Sequence, residues 1–238
     1  MDVPPRTCVV VPTFNEKENV EPLVLAIEKV ALPGVSVLFV DDNSPDGTGE
    51  EISRVAATRP WVRLLRRGGK MGIGSAYQDG FNVALAETKP SVLVEMDADL
   101  QHPPAVLPDL VEAIRGGADV AVASRYVPGG GVSGWSLIRR TVSRGANAYS
   151  RMALGLKVKD ATSGFRAYTE QAARQVASAN LPAKGFEFQV ASLHLLKGSA
   201  KVVEVPFIFE SRVAAKSKLG LSDVLRFFFA VIRISFRG

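Results

Sequence analysis

Residues 91–103 read SVLVEMDADLQHP, an apolar run that ends abruptly in two carboxylates and an amide. The run is short and rich in branched aliphatic residues, so we predict a buried strand near 91–96. Similar runs alternate along the chain with segments whose apolar residues recur at helical spacing. This alternation predicts an α/β fold with a mostly parallel sheet flanked by helices. The other predicted strands lie near 7–11, 35–40, 61–65 and 119–123, and the predicted helices near 17–30, 47–58, 71–87 and 104–115.

The carboxylates that follow the strand at 91–96 are candidate metal ligands. Alternate side chains of an extended chain point the same way, so we expect Asp97, Asp99 and Gln101 to converge on one point. Hard oxygen ligands suit Mg²⁺ or Mn²⁺, and an incomplete protein shell leaves positions for phosphate oxygens. The alternative is that the two aspartates cap the helix that follows. We expect His102 to pack against the site or to support a ligand rather than to bind metal.

Composition limits the class of protein. A chain of 238 residues suits one large α/β domain. Its net charge of +5 and pI near 9.4 favour anionic partners such as nucleotides, nucleic acid or acidic lipid headgroups. The single cysteine, Cys8, lies in an apolar run, which excludes a disulfide within the chain and favours a core position. No secretory signal or membrane-spanning stretch is evident, so we expect a cytoplasmic protein without an integral span.

The second half of the chain combines a glycine-rich loop with two basic amphipathic segments. We expect residues 127–134 to form a mobile loop, because the run PGGGVSG is too glycine-rich for a packed element. On a helical wheel, segments 135–154 and 221–238 each place an apolar stripe opposite three arginines. Such helices can lie on an anionic membrane surface, and the alternative is that both pack into the core. We therefore expect one domain over residues 1–220 and an interface helix over 221–238.

Six short motifs occur in an order that is typical of one family. They read VPTFNE at 11–16, VDDNSPDGT at 40–48, KMGIGSA at 70–76, DADLQHP at 97–103, SRY at 124–126 and TSGFR at 162–166. The set resembles the family 2 glycosyltransferases, and within them the polyprenol-phosphate (dolichol-phosphate) mannose synthases, over nearly the whole chain. The resemblance implies a GT-A fold with a catalytic domain over 1–220. It also implies GDP-mannose as donor and a polyprenyl monophosphate as acceptor.

The resemblance also implies roles for individual residues. Asp97, Asp99 and Arg125 would be catalytic. Asp99 and Gln101 would bind the metal, Mg²⁺ or Mn²⁺, and Arg125 and Arg139 would face the acceptor phosphate. The residues that would bind the nucleotide sugar are Pro12, Phe14, Glu16, Val40, Asp42, Asp97, Ala98, Asp99, Arg212 and Lys218.

Two positions depart from the pattern of the family. Phe14 stands where the family commonly has tyrosine, which keeps the ring packing but removes the hydroxyl contact. Ala215 replaces a glycine in the segment RVAAKSKL at 212–219, which leaves the basic charges in place.

The expected chemistry suits a chain with only two histidines. A phosphate monoester is already an anion near neutral pH, so it can attack the anomeric carbon without a strong general base. We expect one inverting displacement that gives β-linked mannosyl phosphate, with the enzyme bound peripherally at the cytoplasmic face of a membrane. A membrane-protein partner would fit that location.

Two alternative functions remain. The first keeps the fold and the acceptor but uses another donor, such as UDP-glucose. The second is a non-catalytic nucleotide or nucleic-acid binding protein, which the positive charge favours. The sequence carries no recognisable nucleic-acid module, so we expect no nucleic-acid partner.

Overall fold

The computed structural model describes residues 6–181, 183, 185–210 and 221–236 of the chain. The mostly parallel α/β sheet predicted from the sequence is confirmed. The strands are β1 (Thr7–Thr13), β2 (Val35–Asp41), β3 (Val62–Arg66), β4 (Val92–Glu95), β5 (Val120–Ser124), β6 (Gly131–Ser133), β7 (Arg166–Thr169), β8 (Val202–Pro206) and β9 (Ile208–Glu210). The helices are α1 (Lys17–Val30), α2 (Thr48–Thr58), α3 (Ile73–Glu87), α4 (Leu107–Arg115), α5 (Leu137–Leu154), α6 (Glu170–Ser178), α7 (Phe188–Leu195) and α8 (Leu221–Ser235).

The central sheet has seven strands in the order β3-β2-β1-β4-β7-β5-β8. Neighbouring strands run parallel except at β7, which pairs antiparallel with both β4 and β5. The chain order reverses at β1, with β2 and β3 on one side and β4 on the other. In open α/β sheets, ligands bind in the crevice at such a reversal, beyond the carboxyl ends of the strands. The carboxyl ends of β1, β2 and β4 therefore mark the expected site.

Two hydrophobic cores lie on opposite faces of the sheet, because side chains alternate along each strand. Val9, Val11 and Phe39 belong to the core beneath α1, α2 and α4. Val10 and Val40 belong to the core beneath α3, α6 and α7. All five side chains are buried, so helices cover the sheet on both faces, as parallel sheets require.

The expectation that residues 127–134 are too glycine-rich for a packed element is wrong in part, while their mobility stays a prediction. Gly131–Ser133 forms β6, which pairs in parallel with β9. Just before it, the Gly130 N–H donates to the Val127 carbonyl at 2.9 Å. A Cβ atom at Gly130 would lie 2.4 Å from the Ser124 carbonyl oxygen. Glycine at this position thus permits close backbone packing.

The basic helix predicted over residues 135–154 is α5, which packs on α8. Ser136 caps α5, because its hydroxyl accepts from the Arg139 N–H at 3.3 Å. The Tyr149 ring lies 4.3 Å from the Phe228 ring of α8. Packing of the two helices against each other is therefore part of the fold.

Other apolar residues of α5 remain uncovered. Leu137 is 79% exposed, Ile138 77% and Met152 83%. Of the predicted apolar stripe of α5, Ile138, Val142 and Met152 are exposed, whereas Tyr149 packs on α8. Across the described ranges, no helix is long and apolar enough to cross a membrane.

Gly80 lets α3 lie close to the sheet, and its replacement should destabilise the fold. A Cβ atom there would lie 2.4 Å from Val10 Cγ1 and 2.9 Å from Val40 Cγ2. We expect Gly80→Ala to lower the free energy of unfolding by about 1–3 kcal/mol, because the core must shift to admit the methyl group. Urea denaturation followed by circular dichroism measures the change. Gly145→Ala in α5 is the control, since a Cβ atom there meets nothing within 4 Å; if both variants were as stable as the parent, the close packing would be refuted.

Candidate active site

The ends of β1 and β2 are joined by a carboxylate that organises two turns. Asp41 Oδ1 accepts from the Thr13 hydroxyl at 3.2 Å and from the Ser44 hydroxyl at 2.5 Å. Ser44 Oγ in turn accepts from the Asn15 N–H at 3.0 Å. Asn15 and Asn43 both have positive φ, at 60° and 58°, a conformation that asparagine tolerates better than most residues. Asp41 therefore fixes the turns after β1 and β2, which form one edge of the crevice.

Asp42, the predicted donor-binding carboxylate, is held by an arginine that the sequence analysis did not assign. Arg67 Nε lies 2.8 Å from Asp42 Oδ1, and Arg67 Nη1 lies 3.2 Å from Asp79 Oδ2. The first contact is a close ion pair rather than a well-aligned hydrogen bond. Burial raises the pKa of Asp42, and Arg67 opposes the rise. Arg67 also donates to the Ser75 hydroxyl at 3.0 Å, which joins Asp42 to α3.

The other predicted nucleoside contacts lie along the same rim with different accessibility. Phe14 is partly exposed, and Lys70 Nζ lies 4.5 Å above its ring centroid. Pro12 and Glu16 are also partly exposed. Val40 is fully buried and lies beside Pro12 in the sheet. Any contact between Val40 and a nucleoside would therefore involve its backbone, while its side chain belongs to the core.

The carboxylates after β4 lie in a turn, which corrects the extended arrangement predicted from the sequence. β4 ends at Glu95, and residues 98–99 form the turn, followed by Leu100 with φ of 63°. Asp99 Oδ1 accepts from the Gln101 N–H at 3.1 Å, so the aspartate stabilises its own turn. Ala98 is buried, whereas Asp97, Asp99 and Gln101 are all partly exposed. A turn rather than strand alternation brings these oxygens to the crevice.

Asp97 is held in place by two buried side chains. The Tyr77 hydroxyl donates to Asp97 Oδ1 at 3.1 Å, and the Tyr77 ring stacks on Phe188. His102 Nδ1 accepts from the Asp97 N–H at 3.0 Å, and its ring stacks on Phe165 at 5.0 Å. Burial lowers the pKa of His102 to about 4. The 3.7 Å approach of its Nε2 to Asp97 Oδ2 is therefore not an ion pair near neutral pH, and His102 packs and supports the turn, as expected.

Behind the turn, a buried carboxylate lies opposite a buried arginine on the neighbouring strand, an arrangement that no sequence pattern indicated. Glu95 of β4 faces Arg166 of β7, and both side chains are fully buried. Burial raises the pKa of Glu95 to about 7, and the charge of Arg166 opposes the rise. Neither Glu95 oxygen has a hydrogen bond of normal geometry. We therefore attribute most of the stabilisation of the Glu95 carboxylate to the charge of Arg166. The Arg166 guanidinium donates to the carbonyls of Gln189 and Ala161 at 2.7 and 2.8 Å.

The residues of the turn fit a divalent cation bound together with a ligand. Within the part of the chain that the structure describes, no group of three or more His, Cys, Asp or Glu side chains could hold a metal by itself. Asp97, Asp99 and Gln101 nevertheless offer only oxygen donors, which hard cations prefer. Their partial exposure leaves room for phosphate oxygens and water to complete the coordination.

Arg125, predicted to face the acceptor phosphate, is bound by a buried carboxylate. Its Nε lies 2.7 Å from Asp160 Oδ2 and its Nη2 lies 2.6 Å from Asp160 Oδ1. The Arg125 side chain is 9% exposed and that of Asp160 is fully buried. Arg125 Nη2 also donates to the Thr162 hydroxyl at 2.9 Å. Asp160 thus fixes the orientation of Arg125, a role that no sequence pattern indicated.

Trp135 brings the two predicted acceptor-binding arginines together. The Arg139 guanidinium lies 4.1 Å from the Trp135 ring centroid, and that of Arg125 lies 5.4 Å from it. Burial and the neighbouring charge of Arg125 both lower the pKa of Arg139. Two cations held this close would be stabilised by an anion between them. The predicted donor-binding residues Arg212 and Lys218 lie outside the described residues.

The Tyr77 hydroxyl should influence the pH at which Asp97 ionises. Burial raises the pKa of Asp97 to about 6, although 40% of the side chain is open to the crevice. The Tyr77 hydroxyl opposes the rise by donating to the ionised carboxylate. If ionised Asp97 is the active form, activity is lost as the pH falls through this pKa. Tyr77→Phe should raise the pKa further and move the acidic limb of kcat/KM to higher pH.

Measurement of kcat/KM against pH for both proteins at saturating metal tests this expectation. Phe81→Leu, which alters the neighbouring aromatic packing but no hydroxyl, is the matched control. An acidic limb at the same pH in the parent and in Tyr77→Phe would show that the hydroxyl does not act on Asp97.

Comparison with known proteins relates the chain to one family. A model of glycosyl transferase family 2 matches residues 8–177. Polyprenol monophosphomannose synthase from Mycolicibacterium smegmatis is 41% identical over 235 residues, which cover 98% of this chain and 88% of that protein. Undecaprenyl-phosphate mannosyltransferase from Micrococcus luteus is 41% identical over 215 residues, which cover 90% and 87%.

The fold is shared with more distant enzymes. Glucosyl-3-phosphoglycerate synthase from Mycobacterium tuberculosis, solved with Mn²⁺, UDP-glucose and phosphoglyceric acid, has a TM-score of 0.67 and 19% identity. The match covers 98% of this chain and 80% of that structure. At this identity the likeness concerns the fold alone.

Proposed function

This chain belongs to glycosyl transferase family 2 and has the GT-A fold, and we propose that it transfers mannose from GDP-mannose to a polyprenyl monophosphate. The observation that carries the proposal is the carboxylate turn after β4, which lies in a chain 41% identical to two enzymes named for mannose transfer to polyprenyl compounds. The turn supplies what activation of a nucleotide sugar needs, which is a place for positive charge at the leaving diphosphate.

The donor side of the proposal rests on the rim formed by β1 and β2. Phe14, with Lys70 above it, offers an aromatic surface for a base and a cation for a phosphate. Asp42 offers a carboxylate to ribose or base donors, and Arg67 fixes the position of that carboxylate. The diphosphate would then extend toward Asp97 and Asp99. The choice of guanine rests on the resemblance of the chain to the polyprenol-phosphate mannose synthases.

A divalent cation, Mg²⁺ or Mn²⁺, would be held by Asp99 and Gln101 and would supply Lewis-acid stabilisation of the departing diphosphate. The structural relative from Mycobacterium tuberculosis was solved with Mn²⁺ and a nucleotide sugar. Asp97 would lie beside the donor sugar, oriented by Tyr77 and His102.

The acceptor side of the proposal rests on the pair of cations around Trp135. Arg125 and Arg139 would hold the acceptor phosphate, whose oxygen attacks the anomeric carbon as the bond to the diphosphate breaks. The acceptor contributes the electron pair and the nucleoside diphosphate leaves with the bonding pair, so no proton needs to be removed by a side chain. One such displacement inverts an α-linked donor to a β-linked product.

The acceptor is a lipid, and we place the enzyme at the cytoplasmic face of a membrane as a peripheral protein. Besides the exposed apolar residues of α5, Phe229 of α8 and Phe236, which directly follows α8, are exposed. Apolar side chains on two packed helices suit the boundary between headgroups and acyl chains.

Transfer of label from nucleotide sugars tests the proposed function. The protein is incubated with Mg²⁺ or Mn²⁺, a polyprenyl phosphate in detergent, and labelled GDP-mannose, UDP-glucose or GDP-glucose, and the lipid is then extracted. We expect label in the lipid from GDP-mannose alone and a β-linkage by NMR. Efficient transfer from UDP-glucose would show that the donor is not GDP-mannose. An α-linkage would refute the single displacement. The absence of transfer from every donor would refute the enzyme activity.

A further inference from the structure

A cationic pocket lies on the side of α5 that carries Arg144 and Arg151, and it shares Arg125 with the proposed acceptor pair. It has a volume of about 380 Å³ and lies between the loop after β5, one side of α5, and Lys159. A smaller pocket of about 240 Å³ adjoins it and adds Arg140. Arg139 lines neither pocket. The residues that line the larger pocket are Arg125, Tyr126, Val127, Gly130, Arg144, Asn147, Ala148, Arg151 and Lys159.

The charge of this pocket is not balanced within the described residues. No carboxylate lines either pocket. Arg125 is already compensated by Asp160. For Arg144, Arg151 and Lys159, no carboxylate of the described ranges lies within ion-pairing distance. Clustered cations repel one another and attract anions.

Other arginines on the surface differ from these. Arg54, Arg66, Arg115 and Arg174 each form an ion pair with a neighbouring glutamate. Around the pocket, by contrast, three cations without an ion pair in the described part of the chain, Arg144, Arg151 and Lys159, line one cavity. The polar groups of the lining are already used within the protein, because Tyr126 donates to the Ser143 hydroxyl and Asn147 donates to Thr162. What the pocket still offers to a ligand is positive charge from guanidinium and ammonium groups.

The position of the pocket on α5 indicates where its ligand comes from. At about 100° per residue, Arg140, Arg144 and Arg151 form one stripe along the helix. The exposed side chain of Leu137 lies beside this stripe, whereas the exposed apolar residues Ile138 and Val142 lie on the opposite side of the helix. An amphipathic helix in a membrane surface places its apolar side chains among acyl chains and the neighbouring cations at the level of the headgroups. The pocket would then open at the depth of the lipid phosphates.

We propose that this pocket binds the phosphate of an anionic membrane phospholipid through Arg144, Arg151 and Lys159, next to the site proposed for the polyprenyl phosphate, with which it shares Arg125. The proposal rests on the membrane location given under the proposed function. Arginine suits the site because its planar guanidinium can bind two phosphate oxygens at once. Headgroup binding in the pocket would orient α5 on the membrane and so present the Arg125–Arg139 pair to the lipid acceptor.

Vesicle binding by paired variants tests the proposal. Arg144→Gln/Arg151→Gln removes two charges from the pocket, and Arg115→Gln/Arg174→Gln removes two exposed charges elsewhere. Co-sedimentation uses phosphatidylcholine vesicles with and without phosphatidylglycerol. We expect the pocket variant to lose on the order of tenfold in affinity for the anionic vesicles. The control variant should bind them like the parent, and the lysine variant Arg144→Lys/Arg151→Lys should bind with intermediate affinity, because it keeps the charge and loses bidentate binding.

Several outcomes would overturn the proposal. Equal loss in the pocket and control variants would show diffuse electrostatic attraction, and no loss in either would show that the pocket does not bind headgroups. Calorimetric titration with inorganic pyrophosphate tests whether the ligand is a soluble phosphate rather than a lipid headgroup. If pyrophosphate bound the parent but not the pocket variant, and both proteins bound vesicles equally, the lipid assignment would be wrong. Label transfer in detergent is measured separately, so that failure of the proposed function is seen without vesicles.

Discussion

Asp99→Asn should reduce kcat/KM for mannosyl transfer by on the order of a thousandfold while leaving the fold intact. The substitution removes the negative charge that would hold a divalent cation against the donor diphosphate. It keeps the side-chain oxygen that accepts from the Gln101 N–H, so the turn after β4 should persist. The measurement is the rate at which label from GDP-mannose enters extractable lipid, with unfolding followed in parallel.

Asp109→Asn is the matched control, because Asp109 is exposed in the first turn of α4 and has no place in the proposed site. Its transfer rate should equal that of the parent. If Asp99→Asn retained more than about a tenth of the parent rate at saturating metal, the carboxylate would not be the group that binds the cation. If it unfolded, Asp99→Glu would be used to separate stability from charge.

Arg125→Gln should lower the free energy of unfolding by about 3–5 kcal/mol. The reason is the fully buried Asp160, which would lose the guanidinium that binds both of its oxygens. Urea denaturation at neutral pH measures the loss. Arg174→Gln is the contrasting control, because Arg174 pairs with Glu170 at the surface, and there the change should stay below about 0.5 kcal/mol.

A double-mutant cycle separates the structural role of Arg125 from its proposed contact with the acceptor phosphate. Asp160→Asn combined with Arg125→Gln removes both charges, and it should recover part of the stability lost in Arg125→Gln alone. Transfer activity should not recover, because the acceptor phosphate would still lack a cation. Recovery of both together would show that Arg125 acts only through the fold. An unchanged urea midpoint for Arg125→Gln would refute the buried pair as a stabilising element.

Much of the fold could be predicted from periodicity along the chain. The runs at 7–11 and 35–40 are continuous and apolar because helices cover both faces of a parallel sheet, so the local pattern carries the tertiary information. β7 could not be predicted in this way. It has only four residues and begins with Arg166, and a buried arginine in a strand makes sense only beside Glu95 on the antiparallel neighbour β4.

The same division applies to the candidate site. The motifs place Asp97, Asp99 and Gln101 directly after a strand. Because the carboxyl ends of parallel strands lie at the same edge of the sheet, these residues border the same crevice as the turns after β1 and β2. The extended geometry assumed for them was wrong, because Leu100 adopts positive φ and Asp99 bonds to its own turn. Residues that support the site, such as Tyr77 and Arg67, are far from it in sequence. No local pattern marks them, since their roles depend on contacts made only after folding.

The sequence by itself determined the α/β class, the family and the carboxylates and arginines that would handle a sugar donor and an anionic acceptor, because hydrophobic spacing and short motifs are local properties. The tertiary structure alone decided which charges are compensated. Arg125 is bound by Asp160 from 35 residues away, whereas Arg144 and Arg151 have no carboxylate partner in the described chain. Charge pairing depends on distances of a few ångströms between segments remote in sequence, and only the folded chain sets those distances.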